Sequence, residues 1–181
     1  LMAVVVAVHF SALGEVRTPW TNTTNSIRRM APIALAIPLA ALLAWESVVG
    51  LLADTHRRQA QALARSTRVE DRAAQLPLWD AAVRLRPHDA LLHQSAGQAY
   101  FDVYDDRRIV GSDEAGERER LLRPAARHLI EARNRCPVRA HPHARLAELA
   151  GTFHFADPAT RYLERAVSLF PTEPNLWHEL G

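Results

Sequence analysis

The chain has no lysine, a single cysteine, and none of the glycine patterns that cradle nucleotide phosphates. Each absence removes a class of protein. Cys136 alone cannot close an intrachain disulfide, so no covalent staple holds this fold together. All 22 basic residues are arginine, set against 20 acidic ones, and a net charge of +2 gives no argument for a nucleic-acid partner. No basic run is joined to an aromatic platform or a reading helix. There is no nucleophile elbow. The closest histidine pair, His141 and His143 around Pro142, has no thiol or carboxylate cluster to complete a zinc site. The sequence therefore predicts no cofactor, no metal ligand set and no catalytic residue within this stretch.

What is present is unevenly distributed, with apolar residues crowded into positions 1–53 and charge into the rest. Leu1 to Val8 is apolar from its first residue and lacks the positive flank of a signal peptide, so it is read as the end of a membrane helix that begins upstream. Residues 9–27 form a polar loop with Pro19, Trp20 and the run Asn22-Thr23-Thr24-Asn25-Ser26. Met30 to Ala53 is then about 24 residues long with one charge, enough to cross roughly 30 Å of hydrocarbon as a helix. Pro32 lies near its start, while Pro38 is interior and is expected to kink it. Glu46 is placed near the interface, because Asp54 and the His56-Arg57-Arg58 cluster follow closely. Arginines flank both ends of the span, so the positive-inside rule sets no orientation.

Residues 54–72 read as a juxtamembrane helix, over 55–67, and a linker. Beyond them three prolines act as anchors: Pro87, Pro137 and Pro171. The last two are 34 residues apart, the period of a tetratricopeptide (TPR) repeat, and the first two are separated by one period plus about 16 residues. Upstream of each anchor lies a helix with small residues at matching offsets: Trp79 and Ala82; Ala125, Leu129 and Ala132; Ala159, Leu163 and Ala166. Downstream halves agree as well, with Ala96, Gly97 and Tyr100, then Leu146 and Ala147, then Trp177 and Leu180. Small side chains let paired helices approach closely, and the larger ones fill the space between layers. The predicted hairpins are 89–101 with 119–135 and 143–153 with 158–169. A helix over 73–85 precedes them, and another starts near Pro174. Such hairpins bury their apolar faces only by stacking on neighbours.

The fold class expected is all-α: C-terminal transmembrane helices followed by a TPR-like right-handed α-solenoid over 73–181, with an insertion at about 102–118. Both termini suggest a fragment, with the solenoid truncated at its C-terminal end. The insertion holds Asp102, Asp105, Asp106, Asp113, Glu114 and Glu117 but lacks the glycine and terminal glutamate of an EF-hand loop. With Arg107 and Arg108 beside the acids, it is expected as a solvated elaboration at a binding face, with Ser112 capping a short helix through Ala115. The nine histidines are dispersed, and each is expected to be solvated or to serve packing.

The order of a span, His9 in a polar loop with Pro19, a further hydrophobic helix and repeats resembles the C-terminal portion of bacterial O-antigen ligase and polymerase-like membrane proteins. The loop here reads His9-Phe10-Ser11-Ala12-Leu13-Gly14-Glu15, without the Asp-Phe pair common in that family. This resemblance implies an integral inner-membrane protein whose parent transfers polyprenyl-diphosphate-linked glycans, with the repeats on the periplasmic side. It also implies that the catalytic histidine and glycan-binding arginines lie upstream, leaving His9 as an auxiliary loop site. The partners implied are the lipid bilayer, a protein or peptide in the repeat groove, and a lipid-linked glycan held by the parent. The alternative is a non-catalytic, membrane-anchored TPR scaffold.

Overall fold

A computed structural model describes residues 24–109 and 115–180, all of whose regular elements are helices; no strand occurs among them. His9, Pro19 and Ser112 lie outside the described residues. The chain divides into two compact units, Leu1–Ala44 and Trp45–Gly181.

The first helix, α1 (Thr24–Ala64), is 41 residues long. It absorbs the end of the expected loop, the apolar run and the juxtamembrane helix, and it passes Pro32 and Pro38 without a break. Its environment changes along its length. Residues 36–48 are exposed at every position, including Ile37, Leu39, Leu42, Leu43, Trp45 and Val48. From Val49 onward a single buried stripe runs through Ala53 to Ala60, the spacing of one helical face. The segment from Ala36 is long and apolar enough to cross a membrane by length and composition.

Seven shorter helices follow: α2 (Val69–Ala73), α3 (Leu76–Leu85), α4 (Ala90–Ile109), α5 (Ala115–Arg135), α6 (Ala140–Thr152), α7 (Ala156–Leu169) and α8 (Pro174–Leu180). Sequential helices pack as neighbours from α3 to α8, α2 also rests on α4, and α4 touches α6.

One turn recurs three times. At Arg86, Cys136 and Phe170 the backbone N–H closes the preceding helix onto Ala82, Ala132 and Ala166 respectively. Two proline-initiated turn residues follow each, and the N–H groups of Asp89, Arg139 and Glu173 return to the carbonyls of Arg86, Cys136 and Phe170. Proline can neither continue the helix nor donate, so each helix stops at the same offset from its anchor. At the first turn Asp89 also caps α4, its carboxylate accepting from Leu91 N–H at 2.9 Å and Leu92 N–H at 3.3 Å. The α6–α7 connection is different: His154 takes φ 60°, and the N–H groups of His154 and Phe155 return to Gly151 and Ala150 in a Schellman arrangement.

The residues expected to pack differ in burial along this array. Ala82, Ala96, Ala125, Leu129 and Ala132 are fully or almost fully enclosed, and Trp79, Leu146, Ala147 and Ala166 are buried. A Cβ at Gly97 would sit 2.7 Å from Leu129 Cγ and 3.1 Å from the Ala125 carbonyl, so only glycine fits where α4 meets α5. Tyr100, Ala159, Leu163 and Leu180 are half-buried. Trp177 remains 52% exposed, and Leu176 takes the buried position beside it. Ala60 joins Trp79, Ala82, Val83, Leu92, Ala96 and Ala99 in one core cluster, so the C-terminal end of α1 supplies a helix to the first layer.

The acidic segment departs from the expected solvated insertion. Residues 102–109 are the last two turns of α4, and α5 begins already at Ala115. Val103 and Tyr104 are buried there, in a cluster with Phe101, Leu121, Leu122, Ala125 and Leu149. Apolar residues between the aspartates recur at helical spacing, and burying them outweighs the cost of lengthening both helices. Asp106 meets Arg72 of α2 at 2.9 Å, so an acid of this segment ties two helices together.

Candidate functional site

Polar side chains gather where α3, α4 and α5 meet. His93 and His128 are 6% and 4% exposed, and their Nδ1 atoms are 3.1 Å apart. His93 Nε2 lies 3.0 Å from the Pro87 carbonyl, and His128 Nε2 lies 3.3 Å from Asp80 Oδ1. Tyr100 donates its hydroxyl to Asp80 Oδ2 at 2.8 Å and stacks on the His128 ring at 5.9 Å.

Hydrogen-bond chemistry sets the protonation of this chain. The Pro87 carbonyl only accepts, so His93 Nε2 carries a hydrogen. The hydrogen bond from His128 holds Asp80 below its ordinary pKa of 3.8, against the opposing effect of burial, so its carboxylate also only accepts. His128 Nε2 therefore donates to that carboxylate. Burial pushes His93 below its usual 6.5. Burial together with the Asp80 carboxylate pushes Tyr100 far up, keeping it a neutral donor.

Above this network lies an open cleft of about 400 Å³, lined by Asp80, Val83, Arg84 and Pro87 on one side and by Arg127, Glu131 and Arg135 on the other. Arg135 is paired with Glu131.

A second concavity, of about 250 Å³, is lined by amides: Gln61 of α1, Gln75 before α3, and Gln94 and Gln98 of α4, with Trp79, Asp102 and His141. Gln98 donates to Asp102, while the Oε1 atoms of Gln94 and Gln98 are buried without a hydrogen-bond partner. Burial pushes Asp102 up from the usual carboxylate range and His141 down from 6.5. Gln94, Gln98 and Asp102 repeat every four residues, whereas His93, Gly97 and Tyr100 fall on another face of α4. One helix thus serves two surfaces.

The sequence reading missed the network: His93 and His128 were expected to be dispersed, and they are in contact. A partial signal existed, since His93 lies one turn before Gly97 and His128 directly before Leu129, on faces expected to pack. His143 occupies the same offset after Pro137 that His93 has after Pro87, and it is buried as well. Among the described residues, no group of three His, Cys, Asp or Glu side chains is arranged to hold a metal ion. No protein-family model matches this sequence, and no curated protein matches it either.

Proposed function

We propose that this chain is a membrane-anchored array of TPR-type hairpins whose amide-lined groove binds an extended segment of a partner protein. One observation carries the reading: Gln94 and Gln98, one turn apart on α4, line the concavity, and their side-chain carbonyl oxygens lie buried beneath it without a hydrogen-bond partner. Such groups are costly to leave unpaired, and they match the N–H groups of an extended peptide whatever its side chains are. Support for the repeat type comes from the turn shared by Pro87, Pro137 and Pro171 and from the 34-residue spacing. Support for the anchor comes from residues 36–45 of α1, apolar and exposed at every position; water solvates such a surface poorly, whereas lipid accommodates it. Glu46 shares an open pocket with Arg86, His88 and Asp89, consistent with a position at the water-facing end of the span.

In this reading the O-antigen ligase-like protein is the parent, the bilayer of the bacterial inner membrane is its solvent, and the repeats recruit a partner on the periplasmic side. The glycan chemistry would belong to upstream sequence, with no catalytic residue in this chain. A photo-crosslinking amino acid at Gln98 tests the groove: it should trap a polypeptide partner in cells, and the same group at exposed Arg123 should not. Equal trapping at both positions would sink the groove assignment. Membranes extracted with alkaline carbonate should retain the chain, and its release would remove the anchor.

A further inference from the structure

We propose that the cleft between α3 and α5 is a binding site for an oxyanion, a carboxylate or phosphate group carried by a small ligand. It lies on a different face of α4 from the amide groove. Its volume, about 400 Å³, falls within the range of small-molecule sites. The titratable and charged groups facing it come from three helices: Asp80 and Arg84 from α3, His93 from α4, and Arg127, His128, Glu131 and Arg135 from α5.

Both carboxylates among these groups are already committed. Asp80 accepts from His128 and Tyr100, and Glu131 is paired with Arg135. Arg84 and Arg127 make no hydrogen bond or ion pair among the described residues, although each reaches the cleft from a different helix. An exposed guanidinium is well solvated by itself. Two of them converge on one concavity that Arg135 also lines, three guanidinium groups against the two carboxylates of Asp80 and Glu131, which leaves a net positive potential there. Guanidinium donors are planar and forked, matching the paired oxygens of carboxylate and phosphate. Val83 and Pro87 supply an apolar wall for whatever carries the anion.

Calorimetric titration of the full chain in non-ionic detergent at low ionic strength, with inorganic phosphate and separately with succinate, tests this site. Saturable binding of at least one probe is expected. Arg84→Gln and Arg127→Gln should each weaken it by about tenfold, the worth of one charge-assisted hydrogen bond. Both side chains are exposed, so the thermal melts of these variants should be unchanged. Arg123→Gln is the control: this residue is 80% exposed on α5, pairs with Glu119 and does not line the cleft, so its replacement should leave affinity intact. Preference for phosphate assigns a phosphorylated ligand, and preference for succinate assigns an acidic one. Absence of saturation with both probes, or an equal loss in Arg123→Gln, would overturn the proposal in favour of diffuse attraction.

Discussion

The hairpins α4–α5 and α6–α7 share a register and differ in chemistry. Six residues after its proline each carries a buried histidine, His93 or His143, and nine residues before the following proline each carries its ring neighbour, His128 or Tyr162. In the first hairpin the two rings are hydrogen-bonded at 3.1 Å. In the second the rings are 6.3 Å apart, and both nitrogens of His143 lack a completed hydrogen bond. The cause lies in the preceding helix. Asp80, seven residues before Pro87, supplies a carboxylate acceptor for His128; the corresponding position before Pro137 is Ile130. Without an acid there, Tyr162 stands in place of the second histidine, and Arg133 donates to its hydroxyl at 3.2 Å. At Trp177 the register recurs once more, the indole N–H donating to the Pro171 carbonyl at 2.8 Å, as His93 does to Pro87. Backbone periodicity thus decides where a ring stands, and the neighbouring helix decides what that ring does.

Replacing Gly97 by leucine should break the comparison most severely. With Leu129 Cγ only 2.7 Å from the first added atom, the α4–α5 hairpin should lose about 3 kcal/mol from overpacking. Ala147, ten residues after Pro137 as Gly97 is after Pro87, already carries a Cβ, so Ala147→Gly in the other hairpin should cost only about 1 kcal/mol. Circular-dichroism melts separate the two, and a Gly97→Leu melt identical to wild type would disprove the register.

Next in size is Asp80→Ala, which strips His128 Nε2–H and the Tyr100 hydroxyl of their acceptor and should cost about 2 kcal/mol. A double-mutant cycle with Tyr100→Phe, read by urea denaturation, should show coupling of about 1 kcal/mol. Strict additivity would mean that Tyr100 and Asp80 do not act together.

The smallest effect is the pH response, which sharpens the difference between hairpins. Burial lowers His93, His141 and His143, so near and below pH 6.5 the unfolded chain binds more protons than the folded one. Stability should be full above that pH and decline as pH falls through the lowered native values. Asp80 is also lowered, and its contribution should persist until pH drops below its ordinary 3.8. Melting temperatures taken across the acid range should show the histidine phase first, and His143→Leu should shrink it. An unchanged phase in that variant would place its origin elsewhere.

Part of the architecture was legible from local pattern. The proline anchors stop α3, α5 and α7 at the expected offsets, because a missing N–H and a fixed φ act on residues close in sequence. Ala82, Ala96, Ala125 and Ala132, the small residues at the expected offsets, are fully buried, since close helix approach constrains volume whatever the partner. The acidic segment misled because charge density suggested solvent, while Val103 and Tyr104 carried a buried stripe between the acids. The single long α1 was divided because its composition changes abruptly, whereas helical hydrogen bonding continues across that change.

The sequence by itself determined the helical class, the repeat spacing and the apolar run, each encoded within a few turns of chain by hydrogen-bonding capacity and side-chain volume. Only the tertiary structure decided that His93 meets His128 across 35 positions, that His128 meets Asp80 across 48, and that Arg84 and Arg127 face one cleft. Those meetings depend on how three helices pack against each other, a geometry set by the sum of many contacts and written in no local pattern.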